Sequence, residues 1–151
     1  MELRAGDRPE VREAAAELDA LGVPALWLPG LDGGDVLDAV GPLLAAAPRT
    51  TVALGVLSLW GQGAAALGER LALLDATHGE RTVVGLGVSN AQSAAASGHE
   101  LGSPTAAMGR YLDQLNAAAH RVPAARRLLG ALRPRMVDLA AARTAGWHPS
   151  W

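Results

Sequence analysis

Two short apolar runs that end in small residues carry the clearest chemical signal in this sequence. Residues 51–60 (TVALGVLSLW) and residues 81–90 (RTVVGLGVSN) both predict buried parallel strands that become glycine-rich near their carboxyl ends. Because α/β sheets bind ligands at those ends, we expect a ligand face made partly of backbone. Gly85 and Gly87 would let a flat ring approach the backbone closely, or they would serve tight packing of strand against helix, and the residues alone favour neither interpretation.

The end of the first run offers several side chains for binding. Gly55-Val56 indicates either a ligand-facing bend or a simple β-bulge, and the bulge is the commoner case. Ser58 could supply a hydroxyl group, and Trp60 could supply an aromatic wall. A tryptophan at a strand end is nevertheless more often a packing residue than a ligand contact.

The second run resembles the start of a dinucleotide-binding fingerprint. The third glycine of that pattern is replaced by Asn90, and no helix is expected directly after it, so a Rossmann site is disfavoured. Ser58 and Ser89 lack the Gly-x-Ser-x-Gly context of a nucleophile elbow. No catalytic nucleophile can therefore be assigned from the sequence.

The four histidines are His78, His99, His120 and His148. They are far apart and show no metal-ligand spacing, so no metal site is predicted. His99 lies in a polar stretch, residues 89–102, that predicts a long loop, and such loops are often functional. His148 follows a predicted strand end, which faces the ligand in an α/β barrel. These two histidines are the candidates for contact with a substrate.

Composition excludes several classes of protein. The chain has 151 residues, a length that suits one domain, and a formal net charge of −2. The nearest approach to a basic cluster is Arg126, Arg127, Arg133 and Arg135, which is too little for a nucleic-acid-binding face. Cysteine is absent, which excludes disulfides and thiolate chemistry. No signal peptide or membrane-spanning run is recognisable, so we expect a cytoplasmic protein without membrane contact.

Helical and extended patterns alternate along the whole chain. Helices are predicted over residues 7–21, over residues 35–47 with Asp35 as the cap, over residues 64–76, and from Ser103 and Pro134 onward. Strands are predicted at residues 25–28, 51–60, 81–88, 128–132 and 145–147. The alternation predicts an α/β domain, residues 1–151, of parallel βαβ units.

An ordered set of segments resembles the luciferase-like monooxygenase superfamily. The similar segments are residues 14–22 (AAAELDALG), 25–29 (ALWLP), 53–60 (ALGVLSLW), 85–89 (GLGVS), 98–100 (GHE), Pro104, Met108, 111–113 (YLD), 129–132 (LGAL), Met136 and 146–149 (GWHP). The most similar branch comprises bacterial oxidoreductases that use the deazaflavin coenzyme F420. The segments occur in the family's order and cover nearly the whole chain.

This resemblance implies a TIM-type barrel that holds F420, or alternatively FMN, at the carboxyl ends of its strands. The activity it implies is hydride transfer or monooxygenation on a small organic substrate, with the hydride carried by the cofactor. In that family a non-prolyl cis peptide bond often lies behind the ring, and Gly55-Val56 matches its position. The residues expected at the cofactor are Gly55, Val56, Ser58, Gly85, Gly87, Val88, Ser89 and Asn90, with Trp60, His99 and His148 on the substrate side.

The chain is shorter than a full barrel of about 250 residues. The resemblance therefore predicts a truncated, partial barrel of about five to six strands. Gly30 also departs from the family, because relatives often carry a polar residue there. An incomplete barrel exposes sheet edges, and these edges favour an alternative hypothesis about the function. Under that hypothesis the chain is a non-catalytic module that pairs with itself, as a homo-oligomer, or with a partner through its open edges.

Overall fold

The computed structural model describes residues 8–30, 34–89, 91–96, 98 and 102–149. The helices are α1 Pro9–Ala20, α2 Gly34–Ala46, α3 Ala64–His78, α4 Ala91–Ala96, α5 Pro104–Ala117 and α6 Pro134–Arg143, and a 3-10 turn lies at Ala124–Arg126. The strands are β1 Ala25–Leu28, β2 Thr51–Ser58, β3 Thr82–Gly87, β4 Arg127–Gly130 and β5 Trp147–His148. The strands form one sheet in the order β1-β2-β3-β4-β5, and every neighbouring pair is parallel. The predicted α/β partial barrel of parallel βαβ units is confirmed, with five strands.

Local signals place most of the helix ends correctly. Pro9 occupies the first turn of α1, and Gly22, with a φ of 81°, follows its end. Ser103 caps α5, because its hydroxyl oxygen accepts a hydrogen bond from the backbone N–H of Ala106 at 3.3 Å. The predicted cap at Asp35 is wrong, since α2 already begins at Gly34. The helix-starting residue Asp7 lies outside the described residues.

The stretch predicted as a long loop contains a helix. Residues 91–96 (AQSAAA) form α4, which begins two residues after Ser89. The prediction of a loop over residues 89–102, and of no helix directly after the second run, is therefore wrong for this part. Alanine has the highest intrinsic helix propensity, and four of these six residues are alanine. The loop was predicted because the small, polar residues of this stretch are also common in loops.

The hydrophobic core lies between the convex face of the sheet and the helices. Leucine and valine side chains that alternate along the strands are fully buried on that face, among them Leu54, Leu57, Val84, Leu86 and Leu129. The helices pack side by side over them, α1 on α2, α2 on α3, α3 on α5 and α5 on α6. The opposite, concave face corresponds to the interior of a barrel, and it bears Gly55, Gly85, Gly87 and Gly130.

The sheet is curled so strongly that its two outer strands meet across the concave face. The indole ring of Trp27 on β1 lies with its centroid 5.1 Å from that of the His148 imidazole on β5, at an interplanar angle of 37°. A barrel of eight strands has an interior just wide enough for side chains to fill. In such a barrel the first and fifth strands lie opposite each other, and their side chains meet in the interior. The contact between Trp27 and His148 therefore fits a sheet that is curled like part of an eight-stranded barrel.

Charged side chains stabilise the amino edge of the sheet, at the starts of the strands. The Arg81 guanidinium donates to the backbone oxygens of Leu44, Ala47 and Thr50 at 2.7–2.8 Å and so ties the end of α2 to β2. The Asp19 carboxylate accepts hydrogen bonds from Thr50 and from the backbone and side chain of Arg49. Burial opposes ionisation of Asp19, but these bonds outweigh it and lower the pKa of the carboxyl.

Candidate ligand face at the carboxyl edge

The carboxyl ends of the five strands lie side by side, which brings the predicted site residues to one edge. Ser58 at the end of β2 pairs with Gly87 at the end of β3. Gly130 at the end of β4 pairs with His148 at the end of β5. The structure thus assembles residues that are separated by up to ninety positions in the sequence. Asn90 and His99 lie outside the described residues.

Val56 explains the glycines of β3. A Cβ atom built on Gly87 would lie 2.7 Å from Cγ2 of Val56, and one on Gly85 would lie 3.0 Å from Cγ1 of Val56 and 2.4 Å from the carbonyl oxygen of Leu54. The two glycines therefore accommodate the isopropyl group of Val56, which reaches across from β2. This is packing of strand against strand, whereas the sequence suggested either a ligand ring or packing against a helix.

The backbone around Val56 is also held from the side of β1. A Cβ atom on Gly30 would lie 2.3 Å from the carbonyl carbon and oxygen of Val56, so only glycine fits there. The peptide bond between Gly55 and Val56 is cis, at the position that the resemblance indicates. Gly30 thus packs directly against the segment with the cis bond.

Trp27 and His148 lie above Gly55. A Cβ atom on Gly55 would lie 2.8 Å from Cε3 and Cζ3 of Trp27 and 3.9 Å from Cδ2 of His148. Trp27 is nevertheless 48% exposed. Nδ1 of His148 is enclosed and has no hydrogen-bond partner in the part of the chain that the structure describes. Sequence reasoning missed Trp27, although its position one residue before the end of β1 could have marked it as a residue near the carboxyl edge.

The other side chains predicted at this edge are anchored to the backbone. The Trp60 indole N–H donates to the carbonyl oxygen of Val88 at 2.5 Å, and Ser58 Oγ accepts the backbone N–H of Trp60 at 3.3 Å. Trp60 therefore joins the ends of β2 and β3. Ser89 is exposed and has a φ of 58°, so the chain turns sharply after β3.

A groove of about 570 Å³ opens beside the end of β4, and we call it the arginine groove. It lies between the first residues of α5 and α6; Gly130, Leu132 and Met136 contribute to its lining. Arg133 and Arg135 are exposed at its rim, and no ion pair or hydrogen bond engages either side chain in the part of the chain that the structure describes. Helix amino termini and guanidinium groups both favour anions, whereas Leu132, 51% exposed, offers apolar contact.

The structure divides the four arginines that the sequence grouped together. Arg126 and Arg127 lie at the amino edge, where Arg126 forms a bidentate ion pair with Asp75 at 2.6 and 2.7 Å. Arg127 is buried, and this burial, followed by the charge of Arg143, lowers the pKa of its guanidinium. Only Arg133 and Arg135 lie at the carboxyl edge. The amino-edge pair supports the fold, and the carboxyl-edge pair remains available to a ligand.

Comparison with known proteins adds no assignment. No protein-family model matches the sequence, and a search of curated proteins finds no match either. Within the described ranges, no cluster of histidine and acidic side chains could hold a metal ion. In the same ranges, no helix has the length and apolar character needed to cross a membrane.

Proposed function

We propose that the carboxyl edge of this half-barrel binds F420 or, alternatively, FMN, and that the chain is a cytoplasmic oxidoreductase domain of the luciferase-like superfamily. The observation that carries the proposal is the adjacency of two different subsites. Gly130 lines the arginine groove and pairs with His148, whose ring meets Trp27 over Gly55. A surface with an exposed aromatic ring and a groove whose two arginines form no ion pair or hydrogen bond with the described residues therefore adjoin at one edge.

The two subsites suit the two ends of a phosphate-bearing flavin or deazaflavin. Arg133 and Arg135 would hold the phosphate, because guanidinium groups bind phosphate oxygens through paired, charge-assisted hydrogen bonds. The backbone N–H of Arg135, in the first turn of α6, would add one donor in the same groove, since Pro134 has no N–H and the N–H groups of Met136 and Val137 donate to the carbonyl oxygen of Arg133. The concave face around Gly55 would carry the ring. The cofactor, when bound, would supply hydride transfer to a small organic substrate.

The residues of this chain would orient the reactants and exclude water. Trp60, fixed by its bond to Val88, would form one wall of the substrate side, and His148 the opposite one. His99 stays a candidate from the sequence alone. None of these side chains is assigned a proton-transfer step, because no substrate-facing geometry identifies one.

Fluorescence titration with oxidised and reduced F420 and with FMN tests this proposal. We expect saturable binding of at least one of them. Replacing Arg133 and Arg135 by alanine should weaken it about tenfold, or about 1.4 kcal/mol, since each exposed charge pair contributes up to about 1 kcal/mol after solvent screening. The matched control replaces Arg8 and Arg12, two exposed arginines of the α1 region, and should leave affinity unchanged. Absence of saturable binding by every form would refute the proposal.

The exposed sheet edges favour a second candidate function, a non-catalytic module that associates through them. β1 and β5 each pair with a single neighbour in the described sheet. Each also carries a half-exposed tryptophan, Trp27 at 48% and Trp147 at 49%. Unpaired edges with exposed apolar side chains promote pairing with another chain. Sedimentation over a wide range of concentrations tests this function, and a monomer throughout would exclude self-association.

A further inference from the structure

We infer that Trp27 recognises planar rings on the concave face and that His148 positions it. This inference deepens the proposed function and rests on it for the place of the ligand. It adds a residue that neither the sequence pattern nor the family resemblance indicated. The ligand class that it specifies is a planar heteroaromatic molecule, which stacks on the free part of the indole.

The packing of Trp27 supports a stacking role. The six-membered ring of its indole rests on Gly55, where a Cβ atom would approach to 2.8 Å, so the indole lies close to the sheet. Nearly half of the side chain, 48%, is still exposed. An indole that rests on the sheet and keeps nearly half of its side chain exposed presents a rigid aromatic surface. Such surfaces bind planar rings by offset stacking at low conformational cost.

His148 holds the indole in this orientation. Its ring packs against Trp27 at 5.1 Å and 37°, and it also comes within van der Waals distance of the Gly55 position. Its Nδ1 is enclosed and has no hydrogen-bond partner among the described residues. An enclosed, unpaired nitrogen costs free energy. The shape of the ring, rather than its hydrogen-bonding capacity, is therefore what His148 contributes.

Titration of the whole chain with F420, FMN and lumichrome, a planar ring system without phosphate, tests the inference. Trp27→Leu keeps apolar bulk but removes the aromatic face, and it should weaken binding of all three probes about tenfold. Trp27→Phe should stay within about threefold of the wild type, because a smaller aromatic face remains. Trp147→Leu is the matched control, since Trp147 is exposed to 49% on the other outer strand, and it should change affinity less than about twofold.

Two further measurements separate recognition from folding. His148→Phe should bind the probes as tightly as the wild type does, whereas His148→Ala should bind them more weakly. The urea midpoint of His148→Ala should nevertheless be similar to that of Trp147→Leu. Bound probe should quench tryptophan emission in the wild type and clearly less in Trp27→Phe. This comparison holds even where Trp27→Leu does not fold.

The outcomes distinguish this inference from the proposed function. If F420 or FMN binds and Trp27→Leu behaves like Trp147→Leu, the inference is overturned and the proposed function stands. Loss of binding in His148→Phe would likewise overturn the positioning role. If lumichrome binds in a Trp27-dependent manner and neither F420 nor FMN does, the recognition role stands and the proposed function fails. If no probe binds, both are overturned.

Discussion

Replacing Gly87 by alanine should destabilise the protein through one identifiable contact. The new Cβ atom would lie 2.7 Å from Cγ2 of Val56, which is closer than two carbon atoms can pack. The next contacts are ordinary ones, at 3.6 Å to Cβ of Val56 and 3.9 Å to the carbonyl oxygen of Leu57. The clash therefore involves a single methyl group of a neighbouring side chain.

The magnitude follows from two opposing effects. Overpacking a core position typically costs about 1–3 kcal/mol. Replacing a strand glycine by alanine returns about 0.5–1 kcal/mol, because alanine loses less backbone entropy on folding. Gly87→Ala should therefore lower the free energy of unfolding by about 1–2 kcal/mol. In a Val56→Ala background the offending methyl is gone, and the same change should be neutral or stabilising by about 0.5–1 kcal/mol.

Urea denaturation of the wild type, both single variants and the double variant measures this coupling. We expect a coupling energy of about 2 kcal/mol, with unchanged m-values. Gly85→Ala is the comparison, because its Cβ atom would lie 2.4 Å from the backbone oxygen of Leu54. Val56→Ala cannot relieve that contact, so this variant should stay destabilised by about 3 kcal/mol or more in both backgrounds. An equal cost of Gly87→Ala in both backgrounds would refute the assignment of Val56 as the residue that requires glycine.

Three further predictions concern polar groups that the fold partly or fully buries. The folded pKa of Asp19 lies below its ordinary value of 3.8, so its contribution to stability is present above that pH and is lost as the pH falls through the folded pKa. Asp19→Asn should lower the urea midpoint at neutral pH and flatten its decline in acid; an unchanged acid profile would contradict this. Tyr111, the single tyrosine of the sequence, donates to the carbonyl oxygen of Gln62 at 2.7 Å, and burial raises the pKa of its hydroxyl above 10.0. Its phenolate absorbance should therefore appear only as the protein unfolds in alkali, and Tyr111→Phe should cost about 1 kcal/mol. Arg126→Met should cost about 2 kcal/mol in the same urea assay, since it leaves the largely enclosed Asp75 carboxylate unpaired; a smaller loss than for an exposed arginine would argue against a structural role.

Element order could be read from the sequence because its signals are local. Pro9 and Gly22 delimit α1, and Ser103 caps α5, through contacts within a few residues. The apolar runs of β2 and β3 are continuous because helices cover one face of the sheet and the barrel interior lies on the other. The helix that was not predicted also has a local explanation. A short alanine-rich helix, α4, was hidden in a stretch whose small, polar residues are equally common in loops.

The position of the candidate site could be predicted from the sequence, but the role of each residue there could not. Parallel strands must end at a common edge, so the sequence pattern alone places Ser58, Gly87 and His148 together. Their individual roles depended on neighbours from other strands. The glycines of β3 suggested either an approaching ring or packing against a helix, whereas Val56 fills the space above them. That contact follows from the register between β2 and β3, which shifts between Leu54 and Leu57 and which no local pattern specifies.

The sequence by itself determined the alternation of helix and strand and the parallel sheet, whose strands end at a common carboxyl edge. Only the tertiary structure decided that Trp27 and His148 meet over Gly55, because that contact depends on the curvature of the whole sheet. It also decided which arginines are committed to the fold and which border a groove. Periodicity specifies which face of an element is apolar, but the distance between side chains on the first and fifth strands is set by the accumulated twist and curl of every strand between them.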